Sequence, residues 1–502
     1  WASFAEQIDP NTNVRDAWQK VRRISGNYKG SSIGAIKSNG QNLTEPYAMA
    51  EELAKEWTAY SEDTSFRENL IEERDAWTHP NLSPPPPFLR NISRPISLLE
   101  LSSTLSKCKG SAPGHDRITY RMLKETPLSF KERLMALYNH ILAEGVFPHV
   151  WKNAVLIPIP KRSSVTNGPL TPRDLRPISL IPCMSRLLEK ILARRMADVI
   201  QPVLPKSIHG FRKFHGTSSL LLELEADIMG SLNLNKTSYV MSIDVEKAYD
   251  RVRYDTILTQ MAKWNFDSLS TRLIKNFLSS RTIQVKINGF PSRRTPIKNR
   301  LPQGSPLSPS LFNIFIQTLA QELQQIDGLN SYIYADNILV QTNEELARDN
   351  LRRAYTATAI WSHKTGAIVP QQKCELIAFS RRRTPLPNTI EIGDECFPVV
   401  KELKILGLTF TSILKWTAHC ESIARKLEKI NNLIRAISAG KRGAPIHASI
   451  TIGRVLSEGV TNYGLALYSR TTLANLSKIQ TGINKILRTA TGAIRAPSGP
   501  SP

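Results

Sequence analysis

Four consecutive prolines, Pro84-Pro85-Pro86-Pro87, divide the chain. Lacking amide hydrogens and held at one φ, they can continue neither a helix nor a central strand, and they predict an extended linker between two differently built regions. Upstream, residues 1–82 are polar, with helical periodicity at 47–61 and 65–77, and read as a helical lead-in more than a catalytic unit. From Ser97 onward two periodicities alternate. Residues 186–201 place Leu187, Leu188, Ile191, Leu192, Met196 and Val199 on one helical face, and 218–228 repeat the pattern. Between the helices lie strand signals: an apolar run at 239–243 closed by Asp244, an alternating run at 282–287 entering the turn Asn288-Gly289, two short runs around Ala335-Asp336-Asn337, and a further pair at 403–410. The Pro/Gly/Ser-rich loop 301–309 predicts a helix start with Ser308 as N-cap and Pro309 in first position. Strands interspersed with helices, without an internal repeat, predict an α+β fold.

Charge narrows the function. Against 43 Asp and Glu stand 66 Lys and Arg, a net of +23 over 502 residues, which calls for a polyanionic partner. A 41% hydrophobic content excludes a disordered chain. No window approaches 18 uninterrupted apolar residues, so no membrane partner is expected. Cys108, Cys183, Cys374, Cys396 and Cys420 are scattered, with no C-x-x-C pair, and read as reduced thiols of an intracellular protein without structural zinc. Residues 421–495 carry 12 Lys and Arg against 3 Glu, a basic excess across several helices that suits tracking of phosphates. The first residue, Trp1, and the linker-like stretch 496–502 suggest a fragment of a longer product, in which a targeting signal is not readable.

Alone, a strand-ending or turn-forming aspartate is a structural commonplace. Together, three blocks carry more: Asp244-Val245-Glu246-Lys247-Ala248-Tyr249-Asp250, then Arg300-Leu301-Pro302-Gln303-Gly304-Ser305-Pro306-Leu307-Ser308-Pro309, then Tyr334-Ala335-Asp336-Asn337. In this order they resemble the palm motifs of reverse transcriptases, specifically the non-LTR (LINE-type, jockey-like) retrotransposon branch. Ser111-Ala112-Pro113-Gly114-His115-Asp116, Asp174-Leu175-Arg176-Pro177-Ile178-Ser179-Leu180, His209-Gly210-Phe211-Arg212 and Leu403-Lys404-Ile405-Leu406-Gly407-Leu408 are similar to further blocks of that branch. The resemblance covers about residues 97–420.

It implies a right-hand polymerase fold, with a helical N-terminal extension and Pro-rich linker (1–87), fingers (88–230), a palm with an antiparallel sheet (231–410), a helical basic thumb (411–495) and a linker tail (496–502). The implied activity is RNA-directed DNA polymerisation on an RNA template from a DNA primer, with dNTPs as substrates and an RNA/DNA hybrid in the groove. The implied cofactor is two Mg²⁺, with Mn²⁺ as substitute. Two-metal nucleotidyl transfer needs two Mg²⁺ about 3.5–4 Å apart, each held by hard oxygen ligands, which is why paired carboxylates are sought. Asp244 and Asp336 fill that role, with the carbonyl of Val245. The resemblance assigns Lys161, Arg176, Tyr249, Gln303 and Gly304 to the nucleotide, Tyr249 excluding a 2′-hydroxyl. It assigns Leu406 and Gly407 to the primer grip, and Lys373 to protonating the departing pyrophosphate, although residues 369–373 depart from the family's Asn-Pro-x-Lys wording. It places the protein in the nucleus or cytoplasm as an element ribonucleoprotein.

One departure bears on activity. The family has Tyr-x-Asp-Asp where this chain has Asn337 in the last position, which removes one negative charge from a site built to concentrate divalent cations. His115 and Arg117, where the family prefers Pro and Gly, point the same way. The alternative to a working polymerase is a catalytically inactive nucleic-acid-binding remnant. A viral RNA-dependent RNA polymerase or an intron maturase shares the palm logic, but Tyr249 argues against ribonucleotide use.

Overall fold

A computed structural model describes residues 33–75, 77, 91–161, 168–382, 387–393, 395–438 and 443–493. The tetraproline run, the tail 496–502 and Arg383 of the basic triplet Arg381-Arg382-Arg383 lie outside the described residues.

The described residues open with a hairpin, β1 (Ile36–Ser38) and β2 (Gln41–Leu43), then helices α1 (Pro46–Ala59) and α2 (Glu68–Asp75). Helix α1 buries Met49, Ala50, Leu53, Ala54 and Trp57, an i, i+4, i+8 stripe typical of a helix packed on one side. That stripe meets Leu156, Ile283, Val285 and Ile287 of a five-stranded sheet, so the N-terminal segment completes this sheet's core instead of standing apart from it. The sheet has the order β4–β3–β6–β7, with β8 on β6, from β3 (Asn153–Pro160), β4 (Leu175–Leu180), β6 (Arg281–Ile287), β7 (Phe290–Pro291) and β8 (Thr295–Ile297). Asn288 and Gly289, at φ 49° and 98°, make the β6–β7 turn as the Asn-Gly pair predicts.

Between β4 and β6 the chain forms α3 (Cys183–Ile200), α4 (Thr217–Asn233) and β5 (Ser238–Asp244). After β8 come α5 (Ser308–Gln324), the hairpin β9 (Asn330–Tyr334) and β10 (Asn337–Asn343), and α6 (Ala347–Thr365). Ser308 is the first helical residue and Leu307 occupies the cap position, because the Ser308 hydroxyl donates to the carbonyl of Pro302 in the preceding loop. The expected cap is thus one residue out.

The second sheet runs β12–β13–β11–β5–β10–β9, adding β11 (Glu375–Phe379), β12 (Thr389–Ile392) and β13 (Glu395–Val400). Its pairs are antiparallel except β11 with β13. Period-2 alternation gives it two dry faces. Met241, Ile243, Ile338 and Val340 join one core with α3, α5 and α6. Val240, Leu339, Ile377 and Phe379 join a second with α4, the hairpin β14 (Glu402–Ile405) and β15 (Leu408–Thr411), and the C-terminal helices α7 (Thr417–Ser438), α8 (Ile446–Thr461) and α9 (Leu473–Thr491). A sheet covered on both sides has only its strand ends free for chemistry. The fold is α+β, and all five cysteines are free, as the scattered spacing predicts.

Candidate active site

β5 ends where β10 begins. Asp244 lies directly opposite Asn337 in the antiparallel register, so the two side chains share one face of the sheet. Asp336 occupies the two-residue β9–β10 turn, and its carbonyl accepts from the amide of Val245 at 3.1 Å, which brings the two aspartates to the same end of adjacent strands. Burial pushes the carboxyl of Asp336 above the ordinary carboxylate range, helped by Asp244. Burial does the same to Asp244, against the opposing pull of the Lys373 ammonium. At both carboxylates burial outweighs the pull of the nearby cations. Asn337 replaces a third by an amide whose Nδ2 donates to Oδ1 of Asp336 at 3.3 Å.

The aspartates open into a cleft of about 870 Å³ that also takes in Lys161, Arg176, Tyr249, Gln303, Gly304 and Lys373. Every nucleotide-side residue named from the sequence is brought together here. The Lys373 ammonium lies 3.6 Å from carboxylate oxygens of both Asp244 and Glu246. Tyr249 stacks flat on Phe312 of α5, ring centroids 5.2 Å apart, so its position is set by the core behind it.

The 300–309 loop is docked onto the β5 end at three points. Leu301 donates its amide to the carbonyl of Tyr249 at 2.8 Å; Arg300 pairs with Asp250 at 3.0 Å; Gln303 donates to Asp250 at 3.3 Å. Ser305 donates to buried Glu189 of α3. Gly304 stands at φ 120°, and a Cβ there would come within 2.8 Å of the Ser179 carbonyl oxygen. The close approach expected to serve a ligand thus serves β4, whose Ser179 amide donates to the carbonyl of Gln303.

Behind the β9–β10 turn runs the 207–210 segment. Ile333 donates to Ser207 and His209 donates to Ile333, extending the ladder past β9 and covering its edge. Gly210 is so near that a Cβ would sit 2.5 Å from the amide nitrogen of Ala335, while Asn313 of α5 holds the Gly210 carbonyl at 3.0 Å. Burial lowers the His209 imidazole to about 4, so it is neutral at physiological pH.

Leu406 and Gly407 do not line the cleft. They form the β14–β15 turn, at φ 44° and 91°, and the Tyr463 hydroxyl donates to the Leu406 carbonyl. Trp416 and Tyr468 are buried, in keeping with core packing over base stacking. On the C-terminal helices each of the three glutamates pairs with a lysine or arginine, Glu421 with Lys478, Glu428 with Lys485 and Glu458 with Arg454. Arg425, Lys426, Lys429 and Arg435 of α7 remain exposed, without a carboxylate partner among the described residues. Burial and the neighbouring Lys404 of β14 push the Lys426 ammonium down, a like-charge pair that an anion would relieve.

Sequence reasoning assigned no role to Glu246, Lys247, Asp250, Arg173 or Arg300, nor to Glu56, Trp57 and Tyr60 of the N-terminal segment. Lys247, Asp250 and Glu246 lie within the first block, and Arg300 opens the second, so block membership was an available signal. Nothing local marks residues 56–60, which reach the cleft only by packing.

Comparison with known proteins agrees with this geometry. Residues 159–410, half of the chain, match the family model described as reverse transcriptase (RNA-dependent DNA polymerase). The chain is 26% identical over 412 residues to the RNA-directed DNA polymerase from mobile element jockey of Drosophila melanogaster, covering 79% of this chain and 44% of that protein. It is 30% identical over 248 residues to the retrovirus-related Pol polyprotein from type-1 retrotransposable element R2 of Popillia japonica, covering 49% of this chain and 33% of that protein. The chain thus spans less than half the length of these relatives. Among solved structures, apo telomerase from Candida tropicalis aligns with a TM-score of 0.38 at 13% identity, over 78% of this chain and 70% of that one. The chain belongs to the reverse transcriptase (RNA-dependent DNA polymerase) family.

Proposed function

We propose that this chain is the RNA-directed DNA polymerase segment of a non-LTR retrotransposon protein, joining a deoxynucleoside triphosphate to a primer 3′-hydroxyl on an RNA template. The observation that carries this reading is the pairing of Asp244 and Asp336 at one sheet end, above a cleft holding Lys161, Arg176, Tyr249 and Gln303.

The donor chemistry fits a pair of divalent cations, Mg²⁺ or Mn²⁺. Two carboxylates raised by burial and a Val245 carbonyl offer hard oxygens, and among the described residues no group of three or more His, Cys, Asp or Glu is placed to hold a metal. Such a set leaves coordination to be completed by nucleotide phosphates and water, as Mg²⁺ prefers. When bound, the cations supply the charge that activates the primer hydroxyl and stabilises the leaving pyrophosphate. The residues do the rest: Arg176 and Lys161 neutralise the triphosphate, Tyr249 closes the sugar side against a 2′-hydroxyl, and Lys373 is a proton source beside Asp244.

In this reading residues 88–230 act as fingers, 231–410 as palm and 411–495 as thumb, and the unpaired cations of α7 follow the phosphates of an RNA/DNA hybrid, with Leu406 and Gly407 at the primer end. No helix among the described residues is long and apolar enough to cross a membrane. A nuclear or cytoplasmic ribonucleoprotein is the setting this function requires.

Asn337 favours a second reading, a nucleic-acid-binding remnant without turnover. An aspartate opposite Asp244 would place like charges face to face, so Asn337 eases the metal-free site while weakening cation binding. Primer extension on an RNA template with dNTPs and Mg²⁺ decides. Extension by the parent chain, lost about a thousandfold in Asp244→Ala, establishes the polymerase. Extension seen only after Asn337→Asp establishes the remnant, and Asn337→Asp should then also lower metal-free thermal stability.

A further inference from the structure

The N-terminal helix does more than complete a sheet. Glu56, Trp57 and Tyr60, at the end of α1, stand in the wall of the catalytic cleft facing Lys247, Tyr249 and Asp250. Tyr60 meets the β5 block through its ring, on which the Lys247 ammonium sits 2.8 Å from the centroid. Lys247 reaches it from a left-handed backbone at φ 51°, which a non-glycine residue adopts rarely. Among the described residues that ammonium makes no hydrogen bond and no ion pair, although Glu56, Glu246 and Asp250 are all near enough to act on it. The ammonium is thus kept on an aromatic face with its N–H donors unused. Four more cations, Lys161, Arg173, Arg176 and Lys373, line the same cleft.

An ammonium stored in this way is poised for a stronger anion. A ring has no acceptor atom for the N–H donors of a cation, whereas phosphate oxygens supply charge-assisted hydrogen bonds to each of them. The carboxylates nearby have other partners: Asp250 is committed to Arg300 and Gln303, Glu246 to Lys373, and Glu56 accepts from the Tyr60 hydroxyl at 3.5 Å. Resting on the nucleotide reading above, we propose that Lys247 is a further anchor for the triphosphate of the incoming nucleotide, and that Tyr60 of the N-terminal segment positions it. Lys247 would keep the ring beneath its ammonium while its unused N–H donors take up phosphate oxygens, making residues 46–60 part of the nucleotide site.

The test is equilibrium binding of dTTP and of thymidine to the full chain, in Mg²⁺, with KM for dTTP measured wherever extension is detectable. Lys247→Met should weaken dTTP binding about tenfold or more while leaving thymidine unchanged. Tyr60→Leu should weaken dTTP binding severalfold, and Tyr60→Phe, which keeps the ring, should recover most of that loss. Tyr60 is partly exposed, so neither change removes a core side chain. Saturable dTTP binding by the parent that is indifferent to Lys247→Met would overturn this inference alone. Equal losses in Tyr60→Leu and Tyr60→Phe would overturn the role of the ring. No saturable dTTP binding by the parent would overturn the nucleotide reading, and this inference with it.

Discussion

Two hairpins with two-residue turns carry residues assigned from the sequence, and they are held in different ways. The β9–β10 turn, with Ala335 at φ 57°, is clamped by backbone: the amide of Val245 on one side, and on the other Gly210 packed so closely that no side chain fits. The β14–β15 turn, with Leu406 and Gly407 both left-handed, is held from outside by the hydroxyl of Tyr463, a partly exposed residue, with that ring 3.3 Å from where a Gly407 Cβ would stand. Backbone contacts leave a turn one position. A single long side chain leaves it room to follow a neighbour. Such a division suits a site in which the carboxylates must stay within ligand distance of each other, while a grip adjusts as the primer advances.

The sharpest way to break this contrast is Gly210→Ala. Forcing a methyl against the Ala335 amide should cost about 3 kcal/mol of stability, in the upper range for overpacking, and should displace Asp336 enough to abolish primer extension. Chemical denaturation and extension rates measure both; a variant with normal activity would show that the turn tolerates movement. Tyr463→Phe is the milder counterpart. It removes one hydrogen bond worth about 1 kcal/mol, and should weaken primer retention severalfold while the single-turnover rate holds. A change in that rate would mean that the grip turn reaches the chemistry.

The smallest effect concerns charge. Burial raises the folded-state pKa of Asp336 above its unfolded value of 3.8, so the native state binds the proton more tightly and stability falls as pH rises through the folded value. Without divalent metal, Asp336→Asn should therefore melt a few degrees higher than the parent at pH 7, with the gap closing as pH drops toward the ordinary carboxylate value. A gap that persists in acid would point to packing instead of charge.

Much of the fold was legible because its elements are short and strongly patterned. Alternation of Met241 and Ile243 against Val240, closed by Asp244, marks a strand with two dry faces, and Asn288-Gly289 admits few turns other than the one observed. The candidate site was legible for a different reason: its residues travel in blocks, so Asp244, Tyr249, Gln303 and Asp336 were each found through their neighbours. Where no block existed, as at residues 56–60, the sequence was silent, and inside a block a local rule could still mislead. Ser308 looked like a cap by local rule, yet its hydroxyl prefers Pro302 six residues back, a competition that only the folded loop sets up.

By itself the sequence determined which groups are candidates for the chemistry, because carboxylates and cations are properties of residue types and their nearest neighbours. The tertiary structure alone decided what surrounds them. Gly210 against Ala335, Gly304 against Ser179 and Tyr60 beneath Lys247 join positions 125, 125 and 187 residues apart. Close approach of this kind follows from how layers stack, and no local pattern encodes it.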